Sequence, residues 1–341
     1  RVLMIGWGYP PNIEGGLDIH VSRVFEELRA KDVDVDLALP EQNAPEKEGI
    51  IPLKMPDGDM KFQARKMSAE IVDLAEDYDI IHTHDWFGSE AGFKAKKYSD
   101  VKWISTFHSL SSDRTSLPSN DIERLEKTGL KADEALAVSD LLAKKVKEEY
   151  GEKPKVVPNG FSEPESSGVD VKNNLGIENK KMIFYVGRHA EQKGIELLIY
   201  GFKKLEEDAK LVIGGSGHIT ESLKNFTEML DIEDKVIFAG YIPDEELGDY
   251  YSAADVFVSP SLSEPFGLTI TESISCGTPV VATENGAKEI LPEDAFVSVE
   301  QNSDSISEGI SKALEIKNFD VQVSRDWSQV AEDLIKIYRE K

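Results

Sequence analysis

The chain has 341 residues, 40% of them hydrophobic, with 64 acidic side chains against 39 basic ones and a net charge of −25. That composition belongs to a folded protein of about two domains rather than a disordered chain, and no run reaches the ~18 apolar residues of a membrane-spanning helix. The acid surplus works against nucleic acid, whose phosphates need clustered Lys and Arg, and against anionic lipid.

The same surplus fits plain solubility, or adaptation to high salt, where screening relaxes self-repulsion. Cys276 stands alone, so an internal disulfide is excluded and a reducing cytoplasm is expected.

The chain opens on the strand-like run Val2 to Gly6, which does not read as a signal peptide. Leu17 to Ala30 has apolar positions three and four apart and predicts a helix. Strands are expected at Val33–Leu39, Ile80–His82, Trp103–Thr106, Glu134–Ser139 and Lys155–Val157, and helices at Phe62–Asp77 and Asp140–Tyr150. A loop rich in Ser, Glu, Pro and Gly from Ser162 to Asn174 reads as an interdomain linker.

The alternation then restarts. Strands are expected at Met182–Gly187, Lys210–Ile213, Val236–Ala239, Val256–Val258 and Pro279–Ala282. Helices are expected at Gly194–Glu206, Glu221–Met229, Glu245–Ala253, Gly267–Ser275, Ser305–Glu315 and Trp327–Tyr338. Strand and helix in turn imply parallel sheets covered on both faces, hence two doubly wound α/β halves. In such sheets ligands bind outside the carboxyl ends of the strands.

Several segments there carry chemistry. Glu264 and Glu272 flank the start of a helix, whose free N–H groups and positive dipole end suit a diphosphate. A carboxylate beside it accepts hydrogen bonds from sugar or ribose hydroxyls. On spacing alone, the plainer reading is favoured: Glu264 caps the helix and Glu272 lies on a solvated face. Arg188 and Lys193 sit in a loop bracketed by Gly187 and Gly194, directly after a strand. A planar guanidinium and a point-charge ammonium suit a pyrophosphate, although a solvated connector fits equally well.

Gly15 and Gly16 precede a helix and could bring bare N–H groups close to a phosphate. They are not a dinucleotide fingerprint, because Pro10 and Pro11 obstruct the tight turn that motif needs. The turn Gly214 to Gly217 also follows a strand and is weak evidence by itself. His82 and His84 share one strand face, a start on a metal site, but no other His or Cys is near in sequence. His108 ends another strand and reads by itself as a satisfied structural histidine. Cys276 reads as a small core residue. Lys94, Lys96 and Lys97 read as a solvated helix face.

Together these pieces resemble the retaining GT-B glycosyltransferases, the group of the glycogen, starch and sucrose synthases. The signature segments occur in the family's order: Glu14-Gly15-Gly16-Leu17, His82-Thr83-His84-Asp85-Trp86, Thr106-Phe107-His108, Val157-Pro158-Asn159-Gly160 and the Gly187–Gly194 loop. The most specific run is Glu264-Pro265-Phe266-Gly267-Leu268 through Glu272, continuing from Cys276 to Thr283. This order overturns the plainer reading of both glutamates, Glu264 as a cap and Glu272 on a solvated face. Two departures stand out: Glu14, where glycogen synthases usually carry Lys, and Ala287, where the family often has a second glycine.

The resemblance implies two Rossmann-like domains facing each other across a cleft. Residues 1–163 would form the acceptor side and 164–324 the nucleotide-sugar side, with 325–341 a helix crossing back. It also implies roles. Arg188 and Lys193 would grip the donor diphosphate, Glu264 the sugar hydroxyls and Glu272 the ribose. Phe266, Gly267 and Leu268 would line the donor, Gly15 and Gly16 would offer backbone N–H groups, and the backbone at Ile242 would meet the base. His108 would lie beside the anomeric carbon. Expected catalytic residues are therefore His108, Arg188, Lys193 and Glu264.

The implied reaction moves a hexose, glucose foremost, with retention from ADP- or UDP-hexose to an α-glucan or small sugar. The leaving phosphate would accept the proton. Neither a covalent carboxylate nucleophile, a metal nor a cofactor is expected, so the glutamates are not a glycosidase pair. Expected partners are the nucleotide sugar and a carbohydrate acceptor, without nucleic acid or membrane. The alternatives are a mannosyl- or glucosyltransferase building lipid-linked or surface glycans, and a non-catalytic sugar-nucleotide sensor.

Overall fold

The computed structural model describes residues 1–13, 15–113, 120–319 and 325–340. Glu14, the first residue of one motif, lies outside them. The chain divides into two compact units, Arg1–Gly160 with Arg325–Lys341, and Phe161–Ser324.

The first unit runs β1 (Val2–Ile5), α1 (Gly16–Ala30), β2 (Val35–Pro40), β3 (Ile50–Leu53), α2 (Met60–Ala75), β4 (Ile80–His84), α3 (Asp85–Ser99), β5 (Lys102–Phe107), α4 (Asn120–Gly129), β6 (Glu134–Ala137), α5 (Asp140–Tyr150) and β7 (Lys155–Val156). The strands form one parallel sheet in the order β3-β2-β1-β4-β5-β6-β7. Strand order reverses between β1 and β4, the switch point at which such sheets bind ligands.

The second unit runs α6 (Val171–Asn174), β8 (Lys181–Val186), α7 (Ile195–Lys203), β9 (Ala209–Gly214), α8 (Thr220–Met229), β10 (Val236–Gly240), α9 (Asp244–Ala253), β11 (Val256–Ser259), α10 (Leu268–Ser275), β12 (Val280–Ala282), β13 (Phe296–Ser298) and α11 (Ser303–Ala313). Its sheet is parallel in the order β10-β9-β8-β11-β12-β13, with the switch point between β8 and β11. Ile183 and Tyr185 pack on one face with Leu198 and Ile310, while Met182 and Phe184 pack on the other with Ile270 and Tyr251. Successive residues point to opposite faces, so both faces are buried and the strand runs apolar from Met182 to Val186, with only Lys181 at its start exposed.

The last helix, α12 (Trp327–Arg339), belongs to the first unit. A capping box starts it: Asp326 accepts from the backbone N–H of Gln329, and the Gln329 side chain accepts from that of Asp326. Its buried residues Val330, Ala331 and Leu334 come from a helix that packs against α1. Close by, a Cβ on Gly160 would come within 2.7 Å of the Asp326–Trp327 backbone. No helix among the described residues is long and apolar enough to cross a membrane.

Three expectations need correction. First, most of the Ser162–Asn174 segment is not a free linker. The carboxylate of Asp249 on α9 accepts from the hydroxyl of Ser166, from the backbone and hydroxyl of Ser167 and from the backbone of Gly168 and Val169. Gly248 donates to the Glu165 carbonyl at 2.8 Å, and Val171 is buried. Second, β3, α4, α6 and β13 were not anticipated as elements, nor was the part of α3 that precedes the Lys94–Lys97 face. Third, the divide falls at Gly160/Phe161 rather than at 163.

Candidate active site

Four loops leave the carboxyl ends of β8, β9, β11 and β12 beside the second switch point. The β8 loop carries Arg188, which is exposed, then makes a 3-10 turn at Glu191–Lys193 and reaches Gly194. Gly194 has φ +64°, and a Cβ there would lie 2.1 Å from the Pro260 carbonyl oxygen, so glycine is required for this loop to sit against the β11 loop. Leu262 N–H donates to the Gln192 carbonyl at 2.8 Å across the same seam.

That seam brings Lys193 to Glu264. The ammonium lies 2.7 Å from the carboxylate, which also accepts from the Ser261 hydroxyl at 3.0 Å. Both side chains are mostly buried, 27% and 14% exposed. The N-cap of α10 is Gly267, in the left-handed region and without a side-chain cap bond. Glu264 therefore does not cap this helix.

Glu272, half-buried inside α10, accepts from the Tyr251 hydroxyl at 2.8 Å. Burial and the Glu272 charge push the Tyr251 phenol well up, so it stays protonated and donates. Phe266 and Gly267 are buried, Leu268 half-buried, and the Phe266 carbonyl accepts from Ala287. The side chain of Ile242 belongs to the core, where a Cβ on Gly214 would meet it at 2.6 Å. Its neighbour Tyr241, missed in the sequence, stands 76% exposed just past β10.

His189 fastens this region. Its Nε2 faces the Gly214 carbonyl at 3.3 Å, so that nitrogen carries the proton, and its Nδ1 meets the Thr220 hydroxyl at 2.8 Å. Burial pushes its pKa down.

In the first unit the structure gathers four of the six histidines, which the sequence spreads over 89 positions from His20 to His108. All four are buried. His20 Nδ1 meets Asn159 Oδ1 at 2.7 Å. His82 is bonded on both sides, to the Tyr338 hydroxyl and to Thr106, each at 2.8 Å. His84 Nδ1 lies 3.0 Å from His108 Nε2.

Among the described residues the Nε2 atoms of His20 and His84 have no hydrogen-bond partner. Burial lowers the pKa of His20 to about 4 and of His82 to about 3, and holds His84 and His108 well below the usual value. All four are therefore neutral at pH 7. His82, paired on both nitrogens, is not available to a metal. His20, His84 and His108 can each offer a ring nitrogen, and these lie within 4.8 Å of one another.

His108 is held through its backbone. Its N–H donates to Asp85 at 2.6 Å, and the same carboxylate accepts from the N–H and hydroxyl of Ser109 at 3.3 Å. Gly15, N-cap of α1, is extended and exposed, and a Cβ there would meet nothing within 4 Å. The fold itself imposes no demand for glycine at that position. Gly16, exposed, opens the helix.

Residues 170–332 match the family "Glycosyl transferases group 1" and residues 14–163 match "Glycosyltransferase Family 4". An uncharacterized glycosyltransferase of Methanocaldococcus jannaschii is 30% identical over 99% of this chain and 98% of its own length. The chain belongs to the GT-B glycosyltransferases. Within that family the α-maltose-1-phosphate synthase of Mycolicibacterium smegmatis is 26% identical over 99% of both chains. The sucrose-phosphate synthase of Thermosynechococcus elongatus has the same fold, with a TM-score of 0.81 at 23% identity over 99% of this chain and 98% of that one. Both expectations of fold and family are met, and this chain is a GT-B glycosyltransferase.

Proposed function

We propose that this enzyme is a retaining hexosyltransferase that moves a hexose, glucose foremost, from ADP- or UDP-hexose to an α-glucan or small sugar. The observation that carries this reading is the Lys193–Glu264 pair at the carboxyl end of the second sheet's switch point. An ammonium has three donors, so Lys193 can keep Glu264 and still donate to a diphosphate. Arg188, exposed earlier in the same loop, would add a bidentate fork. Together they would stabilise the negative charge that develops on the departing diphosphate.

Glu264 would then accept from sugar hydroxyls and Glu272 from the ribose. The N-terminus of α10 would add its free N–H groups to the diphosphate. The backbone at Ile242, with the exposed ring of Tyr241, would offer a surface to the base. On the first unit, Gly15 and Gly16 would bring bare N–H groups to the donor, and His108, neutral, would hydrogen-bond the hexose rather than act as an ion. The cations do the electrostatic work, so no resident metal or cofactor is called for. The α-maltose-1-phosphate and sucrose-phosphate synthases are both named for sugar phosphates, which supports a small-sugar acceptor.

The test is a screen of ADP- and UDP-hexoses against glucans, small sugars and sugar phosphates, with chelator present and with the product's anomeric configuration read by NMR. Transfer with retention supports the reading. An inverted product, or dependence on added metal, overturns the mechanism. Nucleotide-sugar binding without transfer or hydrolysis would make the protein a sensor.

A further inference from the structure

The geometry points to a metal site of three histidines, His20, His84 and His108, that takes one borderline transition-metal ion of the Zn²⁺ kind. Two buried imidazole nitrogens, His20 Nε2 and His84 Nε2, stand without a hydrogen-bond partner among the described residues. Buried polar atoms are nearly always paired, so two orphans on neighbouring rings call for a ligand. The rings are close, with centroids 5.4 Å apart for His20 and His84 and 4.5 Å for His20 and His108.

The tautomers suit a metal. The Asn159 side-chain oxygen faces His20 Nδ1 at 2.7 Å, so that nitrogen carries the proton and Nε2 presents a bare lone pair. In the same way, a proton on His84 Nδ1 directed at His108 Nε2 leaves His84 Nε2 as a lone pair. The opposite arrangement would strand a buried N–H on His84, which is costlier than a stranded lone pair. An outer oxygen holding the far N–H of a ligating histidine is the arrangement found around bound metals, and Asn159 supplies it here. The rings are already neutral at pH 7, so binding requires no proton to leave them.

An all-imidazole set selects zinc, copper or nickel over magnesium or calcium, which take oxygen ligands. Tetrahedral Zn–N bonds of about 2.0–2.1 Å place the nitrogens about 3.4 Å apart. Ring nitrogens within 4.8 Å of one another reach that spacing by side-chain movement on the order of 1 Å. His82 is left out, because Tyr338 and Thr106 occupy both of its nitrogens. Occupancy would replace the His84–His108 hydrogen bond and turn the His108 ring. Resting on the proposed role of His108 beside the donor, the ion is then an inhibitor, not a cofactor.

The experiment uses the full chain after chelation and dialysis. Co²⁺ is titrated as a spectroscopic probe and Zn²⁺ by calorimetry, and transfer is assayed in parallel with Zn²⁺ added or chelated. The expected result is one ion per chain, a cobalt spectrum of tetrahedral imidazole ligation, and inhibition reversed by chelator. His20→Gln should abolish the spectrum while leaving metal-free turnover intact. Asn159→Ala should weaken binding about 10–100-fold, the usual effect of losing an outer partner.

A cobalt spectrum that stays octahedral overturns the site and leaves an ordered water as the partner of the two nitrogens. So does binding indifferent to both His20→Gln and Asn159→Ala, variants whose folding is checked by circular dichroism. Tetrahedral binding without any effect on transfer keeps the site and removes the role given to His108.

Discussion

Lys193 and Glu264, seventy-one positions apart, meet at 2.7 Å because two loops from the neighbouring strands β8 and β11 are held in register by Gly194 on Pro260. An ion pair only 27% and 14% exposed has lost much of its hydration. Such a pair is weak evidence for stability and better evidence for a site that needs both charges.

Lys193→Ala should therefore leave the fold intact and lower turnover by on the order of 10²–10³, the scale of losing one preorganised electrostatic donor. Ser261 still bonds Glu264 at 3.0 Å, so the carboxylate keeps a partner. Steady-state kinetics beside a melting curve decides it. Unchanged turnover in a folded variant removes Lys193 from the diphosphate.

Both sheets were legible from strand and helix alternation, and the two glutamates, Arg188, Lys193 and His108 from ordered motifs. The missed elements have physical reasons. Strand β3 contains Pro52, which is tolerated because β3 is an edge strand. Helix α3 contains Gly88 and Gly92, poor helix formers. A Cβ at Gly92 would lie 2.0 Å from the Trp103 indole and one at Gly88 2.7 Å from Thr83, so close packing onto β4 and β5 demands the glycines that hide the helix. The histidine cluster was illegible because His20, His84 and His108 come from α1, β4 and the end of β5, and only the strand order brings them together.

Asp249 holds the chain where it enters the second unit. Its carboxylate accepts from Ser166, Ser167, Gly168 and Val169, and these bonds, the Ser166 hydroxyl foremost, push its pKa down to about 2. Asp249→Asn puts an amide where donors converge. Hydrogen bonds to a charged group contribute about 1.5–3 kcal/mol, so the variant should lose stability of that order. Limited proteolysis should then cut near Ser166–Val169 faster than in wild type. An unchanged cleavage rate would show that other packing holds the segment.

His189 should make the second unit acid-sensitive. Burial lowers its folded pKa below the ordinary value of about 6.5, so the unfolded chain takes up the proton first. The contribution of the neutral ring is complete above about pH 6.5 and is lost as the pH falls through the lower folded value. His189→Gln keeps a donor for the Gly214 carbonyl but cannot titrate. Between pH 7.5 and 5.5 wild type should lose more thermal stability than this variant, a difference that subtracts the other histidines. Parallel pH curves for the two proteins would remove His189 as the cause.

The acidic surface gives the last prediction. The chain carries 64 acids against 39 bases, so after every base is paired many carboxylates still face only like charge. The described ion pairs on the surface, such as Lys224–Glu221 and Lys312–Glu308, are exposed and contribute about 0–1 kcal/mol each. Salt weakens these attractions, but it also weakens repulsion spread over the whole surface. Screening shortens from about 10 Å at 0.1 M to about 3 Å at 1 M, and repulsion acting beyond nearest neighbours is lost first. The melting temperature should rise from low to molar potassium chloride, with the rise steepest at low concentration. Replacing exposed acids that make no ion pair among the described residues, such as Glu207 and Glu228, by Gln should lessen the rise, since it removes repulsion without removing an attraction. A flat or falling curve would mean that local pairing outweighs the net charge, and the surface would then serve solubility rather than life in salt.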